Sequence, residues 1–292
     1  MTQARPRIDE ELLEETLALV KEVKEFGRSL GIEPTKALSQ SSNQKPTKSM
    51  LWLWLQHKGT LAIRAPIDIR VAVRFSAPQE RVRIEHLYNI SGYSVYFRQG
   101  NEFGDVEAVT TGDFAKKSLF RRVMTVLHED LHGDQNFALP WENEESIVTP
   151  LAMIATLQFL KYKGDEAGIK EAESAIKEEA QLSRELMDLA QQAQELFRTE
   201  PLNEAKRKLL KMIASSGVYG RYYRYQMKDQ DENVGMEAKV SHDLAYYRQF
   251  ERILSLHSAT GDLKTFIGEL KNIPRDTDME GLEKYLGDLE RR

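Results

Sequence analysis

The 292-residue sequence predicts an α+β protein with a small, mostly antiparallel sheet and a predominantly helical C-terminal half. Three observations predict this class. Apolar residues recur at helical spacing over residues 9–30, the period shortens to two between Leu51 and Thr111, and helical spacing takes over after Phe114. The length accommodates one large domain or two intimately packed ones. The change of period places one boundary between an N-terminal helix and β-rich part (1–113) and a helical part (114–292), expected to form one compact unit.

In the first segment Leu12, Leu13, Leu17, Leu19, Val20, Val23 and Phe26 stand among acids and lysines, which gives a helix one buried stripe, and Gly31 ends it. Ser39 to Ser49 lacks periodicity and reads as a loop. Ile67, Ile69, Val71, Val73 and Phe75 alternate with Asp68, Arg70, Ala72 and Arg74, the pattern of a half-buried strand. Further strands are predicted at Leu51–Leu55, Thr60–Ala65, Arg81–Tyr88 and Tyr93–Arg98, punctuated by Pro66, Pro78 and Gly92. Helices are predicted at Lys116–Leu131, Glu144–Lys161, Asp165–Phe197, Asn203–Ser215, Lys239–Leu256 and Leu263–Leu270. In the long one, Ile169, Ala172, Ile176, Leu182, Leu186, Leu189, Ala193 and Leu196 form the stripe, and the charged remainder reads as a solvated face.

Composition narrows the function classes. The net charge is −5, from 41 basic and 46 acidic residues that are well mixed, so no basic block tracks a phosphate backbone and nucleic acid is not an expected partner. No run reaches the roughly 18 to 20 apolar residues that span a bilayer. The segment MTQARPRIDEELLEE is too charged for a signal peptide, so the expected location is cytoplasmic, with no membrane partner. With no cysteine, a transition-metal site must use His, Asp or Glu.

Such a site is suggested by His128-Glu129-Asp130-Leu131-His132, an H-E-x-x-H motif inside an amphipathic helical pattern. At i and i+4 the two imidazoles stand one turn apart on one face, as two nitrogens on a single Zn²⁺ require. Glu129, beside the first histidine, is positioned to take a proton from water. Val123, Leu127 and Leu131 would pack the helix, leaving the histidines off that stripe. A catalytic zinc needs a third protein ligand, and the segment Trp141 to Ile147 offers Glu144 and Glu145, which lie about 100° apart on a helix, so that only one can face the metal. The bland alternative is a solvated acidic helix start that complements the dipole. Asp130 and Asp134 are candidates to orient the ligand histidines, or are plain surface acids.

HEDLH followed by NEES, the long acidic helix, KRKLLKMI and GDLKTFIGEL resembles the predicted-aminopeptidase group of gluzincin zinc metallopeptidases. The likeness covers residues 115–270 and leaves out the β-rich part. It implies a zincin-like fold, a catalytic unit binding Zn²⁺, and a peptide substrate. In gluzincins an Asn-Glu pair opening the next helix supplies the third ligand, a form that Asn143-Glu144 matches, so the resemblance implies His128, His132 and Glu144 as ligands and Glu129 as general base. It also implies a Tyr or His donor for the oxyanion. Tyr219 and Tyr223 in GVYGRYYRYQ are the leading candidates and His242 the next, although aromatic residues at helical spacing usually pack. Glu102, in Gly100-Asn101-Glu102-Phe103, is similar to the residue that binds a substrate's α-amine in zinc aminopeptidases, against a polar hairpin turn as the plain reading. Aminopeptidase action is the expected subtype and endopeptidase the alternative. A second class is a non-catalytic zinc-containing protein-binding module, and a third a metal-free helical scaffold. The sequence leaves the oligomeric state open.

Overall fold

The computed structural model describes residues 8–42, 50–63, 67–72, 77–87, 90–100 and 108–292. In chain order the elements are helix α1 (Ile8–Ser29), strands β1 (Ser41–Ser42), β2 (Met50–His57) and β3 (Ile67–Ala72), helix α2 (Ala77–Leu87), and strands β4 (Tyr93–Gly100) and β5 (Thr110–Thr111). Helices α3 (Gly112–Ala115), α4 (Leu119–Leu131), α5 (Trp141–Lys163), α6 (Glu166–Thr199), α7 (Leu202–Ser215) and α8 (Val218–Met227) follow. Helices α9 (Glu232–Tyr247), α10 (Phe250–Thr260), α11 (Leu263–Leu270) and α12 (Met279–Glu290) complete the chain. The α+β class is as predicted, with a small antiparallel sheet and a helical C-terminal half.

By internal contact the chain divides into two compact units. One comprises Met1–Thr47, Glu102–Ile176 and Arg252–Arg292, and the other Lys48–Asn101 and Lys177–Glu251. Both are discontinuous in sequence, whereas the change of period marks a single boundary between residues 113 and 114. A small sheet needs helices to cover its faces, and here α2, between two of its strands, and the later α9 do so.

In the first unit α1 ends in a Schellman arrangement: Ile32 N donates to Gly27 O at 2.9 Å and Gly31 N to Arg28 O at 2.9 Å, with Gly31 at φ +84. The left-handed conformation explains the glycine. Helix α5 is buried on every side from Glu145 to Thr156, as expected of a central helix rather than a surface one. α1 packs on α3, α4 and α5, with Phe26 set edge-on to Phe159 at 5.2 Å between centroids. Within the predicted loop 39–49, Ser41–Ser42 pairs in parallel with Thr110–Thr111.

The second unit holds an antiparallel sheet in the order β3-β2-β4. Central strand β2 is buried on both faces. Leu51, Leu53 and Leu55 pack with Val95, Phe97 and Ile84 of α2, while Trp52, Trp54 and Gln56 share the opposite face with Ser94 and Tyr96 and meet α9. α9 approaches closely at Gly235, where a Cβ would lie 2.9 Å from Val95 O.

Two predicted strands are not formed. Arg81–Leu87 belongs to helix α2, and Thr60–Ile63 is not in a strand, residues 64–66 and 88 lying outside the described residues. The alternation R-V-R-I-E imitates period two, but Val82 is 65% exposed while Ile84 is fully buried against the sheet. Tertiary burial of Ile84, one helical turn after buried Glu80, decides the matter. The predicted helix 239–256 is two helices, broken at Arg248 and Gln249, and α8 and α12 add to those predicted. If α2 is helical as described, Ile84→Ala should lose about 2–4 kcal/mol in urea unfolding and Val82→Ala less than about 0.5 kcal/mol. Equal losses at the two positions would contradict this packing.

Candidate metal centre

Helix α4 begins at Ser118, whose Oγ accepts from Arg121 N at 3.3 Å, and its rotation is set by Phe120, Val123, Leu127 and Leu131, all fully buried. His128 and His132 lie off that stripe and are half-buried, as the spacing predicted. Their rings stand 4.7 Å apart and nearly perpendicular, and the two Nε2 atoms are separated by 3.1 Å.

The last turn of α4 is held from α1 and from the chain after it. Lys24 Nζ donates to Asp130 Oδ1 and, at 3.1 Å, to Thr35 O. Thr35 N and Oγ1 each donate to the same Asp130 oxygen at 2.9 Å. Asn136 Nδ2 donates to Asp130 O at 2.6 Å and Glu33 O at 2.8 Å, and its Oδ1 accepts from Glu33 N at 2.8 Å and Lys271 Nζ at 3.1 Å. Asp130 therefore anchors the helix, and in that place it is buried, paired and turned to α1. Asp134 is exposed, its carbonyl accepting from Arg275 at 3.4 Å.

Helix α5 supplies the carboxylates, and it places Glu145 and the expected ligand Glu144 differently. His128, His132 and Glu145 form the group able to hold a metal ion, with one donor atom from each within 4.8 Å of the others. Glu145 Oε2 lies 3.5 Å from His128 Nε2, and Glu145 Oε1 lies 3.5 Å from His132 Nε2. Glu144, named as ligand by the Asn143-Glu144 resemblance, instead accepts from His132 Nδ1 at 2.6 Å and from Leu139 N at 3.2 Å. The reason is helical phase: buried Asn143 is tied to Thr277 O at 2.7 Å, and Ser146 and Ile147 are fully buried beside Glu145. That rotation turns Glu145 inward and leaves Glu144 at the back of the His132 ring. A His Nδ1–H donated to a carboxylate leaves Nε2 as the free donor atom.

The electrostatics are those of a half-buried acidic site. Burial pushes the Glu129 carboxyl up to about 7, with the charge of His132 opposing the rise and Glu145 adding to it. Burial would lower the His132 imidazole, but its hydrogen bonds and charge interactions with Glu144 and Glu145 outweigh this and raise it to about 10. A cation at the three donors would relieve the carboxylate crowding and displace that proton.

Tyr219, Tyr223 and His242 are buried in the second unit, and the Tyr219 hydroxyl donates to Asp243 at 3.1 Å. Glu102 lies outside the described residues. Lys24, Thr35 and Asn136 carried no sequence signal, since their partners are up to 106 positions away. Among the described residues no helix is long and apolar enough to cross a membrane. No protein-family model, curated protein or solved structure matches the chain.

If Glu145 is the donor and Glu144 the orienting group, competition with a chromogenic chelator should separate them. Glu145→Ala should abolish Zn²⁺ binding, as His128→Ala does, and Glu144→Ala should weaken it by about 10–100-fold. The reverse order would restore Glu144 as ligand.

Proposed function

We propose that this chain is a zinc-dependent peptidase of the gluzincin kind, with a zincin-like catalytic unit and aminopeptidase action as its subtype. The observation that carries the reading is the spacing of three donor atoms beside an acidic neighbour. Donors about 2.0–2.1 Å from one tetrahedral zinc lie about 3.3 Å apart. The two histidine Nε2 atoms, 3.1 Å apart, are close to that figure, and the Glu145 carboxylate faces both, Oε2 at 3.5 Å from His128 Nε2 and Oε1 at 3.5 Å from His132 Nε2. Two imidazoles, one carboxylate and no thiolate suit zinc better than the all-oxygen sites of magnesium or calcium. Three protein ligands leave one coordination position for water or substrate.

Zinc bound there would act as a Lewis acid, polarising a peptide carbonyl and acidifying a water molecule. Glu129 would take the proton from that water and pass it to the departing amine, a task suited to a carboxyl raised by burial toward neutral pH. Glu144 would hold the His132 ring in the tautomer that presents Nε2, and Asp130 with Lys24 would keep the turn carrying both histidines in place. Burial of Glu145 at 6% exposure restricts its carboxylate to the histidine side.

Purified protein should contain one zinc per chain by plasma emission. Glu129→Gln should keep that zinc and the fold while kcat falls about 10²- to 10⁴-fold. Because the base acts deprotonated, activity should fall as the pH drops through the Glu129 pKa. A bound cation lowers that value, so the acid limb should lie at or below about pH 7. Near-normal turnover by Glu129→Gln would sink the mechanism, and a zinc-loaded parent without peptidase activity would favour the non-catalytic binding module.

Aminopeptidase action has its own test. Mass spectrometry of a peptide digest should show single residues leaving free N-termini and acetylated peptides left intact. Internal cleavage of acetylated peptides would make the enzyme an endopeptidase.

A further inference from the structure

The peptidase reading leaves unused a concave pocket in the second unit that runs along one face of α7. Its volume is about 710 Å³, within the roughly 300–1,000 Å³ of pockets that take small organic ligands. Four lining residues are cationic, Lys58 after strand β2 and Lys206, Arg207 and Lys211 of α7, and none is acidic or aromatic. Residues four apart on a helix stack along one face. Leu202, Lys206 and Leu210 therefore form one row, and Arg207 and Lys211 stand in the row beside it. Leu202 touches the chain at Gly59, where a Cβ would lie 3.2 Å from its Cδ1, so Lys58 stands at the Leu202 end. From Leu202 to Lys211 the helix rises about 14 Å.

Two of the four cations are paired. Arg207 is engaged by Glu204 on the exposed surface, and Lys206, 8% exposed, donates to Asn233 O and lies 3.0 Å from fully buried Glu237. The other two are exposed and have no carboxylate within ion-pair distance among the described residues. Lys58 Nζ donates to a neutral acceptor, Ser91 O, at 2.6 Å. Lys211 acts on Glu204 from farther away, as a minor contributor beside the Arg207 hydrogen bond that chiefly lowers that carboxyl. The remaining acids of α7 and the start of α9 are engaged elsewhere. Glu200 pairs with Lys208, and Asp231 caps α9 by accepting from Asn233 N at 2.8 Å. Glu232 lies toward Tyr223, whose hydroxyl is raised by burial and then by that charge.

We propose that this pocket binds an aliphatic chain carrying one anionic head group, the head drawn to Lys58 and Lys211 and the chain lying along the Leu202–Lys206–Leu210 row. Lysine ammonium groups are compact point charges that accept a carboxylate or a phosphate alike, without the fork geometry of arginine. Their methylene stems add to the apolar wall that Leu202 and Leu210 begin. A nucleotide is a poorer fit, because no aromatic lining residue offers a stacking platform for its base. The site lies wholly in the second unit and requires neither zinc nor turnover, so it goes beyond the peptidase reading.

The test is isothermal titration calorimetry of the full chain at low ionic strength with octanoate, octyl phosphate, octanol and inorganic phosphate, each below micelle-forming concentration. Octanoate, octyl phosphate, or both should bind saturably at one site, which identifies the head group, while octanol and inorganic phosphate bind about tenfold more weakly or less. Shortening the chain to four carbons should cost about tenfold or more, since each fully buried methylene is worth about fourfold. Replacing both exposed lysines, Lys58→Gln with Lys211→Gln, should weaken binding about tenfold or more with circular dichroism unchanged, and Lys58→Arg with Lys211→Arg should restore it to within severalfold. His128→Ala should leave the affinity unchanged, which separates this site from any anion held at a metal in the first unit. No saturable binding of either amphiphile, octanol or inorganic phosphate binding as tightly, unchanged affinity in the double glutamine variant, or loss of binding in His128→Ala would each overturn the proposal. Because the pocket is read by binding and Glu129 by turnover, failure of one leaves the other testable.

Discussion

The candidate metal centre depends on one buried ion pair, Lys24 with Asp130. Asp130 is 1% exposed and shares its Oδ1 among Lys24, Thr35 N and the Thr35 hydroxyl. A buried carboxylate without such partners is costly, so the last turn of α4 is stable only where those donors meet it. The apolar stripe of α4 sets the same rotation independently, through Leu127 and Leu131. With the helix fixed from two sides, His128 and His132 have one direction left, toward α5.

What meets them there is a pair of adjacent acids with separate contacts. Glu145 closes on both Nε2 atoms from the buried side, and Glu144 takes the Nδ1 of His132 and the Leu139 amide. Consecutive residues on a helix can divide the labour of binding and orienting because they diverge by about 100°. The phase of α5 then decides which acid does which, and that phase is anchored by Asn143 on Thr277 O, with Asp276 N bonded to Ala138 O at 2.9 Å. A residue near the C-terminus thereby helps to hold the helix that places both carboxylates beside His128 and His132.

The second unit uses the opposite electrostatic device. Its buried Lys239 and Asp243 neutralise one another, and Trp52, Trp54 and Tyr96 pack around His242. The tyrosine-rich segment GVYGRYYRYQ, a source of oxyanion donors by resemblance, forms α8, and the Tyr219 and Tyr222 hydroxyls turn to Asp243.

By itself, the sequence determined what depends on local period and spacing: α1, the length of α6, strands β2 and β4, and two histidines one turn apart with Glu129 beside the first. These follow from apolar spacing and helical geometry, which neighbours along the chain suffice to specify. Tertiary structure decided the rest. The different placement of Glu144 and Glu145 turned on the phase of α5, held by the contact of Asn143 with Thr277. The helical state of 81–87 turned on the burial of Ile84 against a sheet whose strands lie on either side of it in sequence. The partner of Asp130 turned on α1, a hundred residues away. In each case the deciding contact comes from a segment far away in sequence, which short-range pattern cannot register.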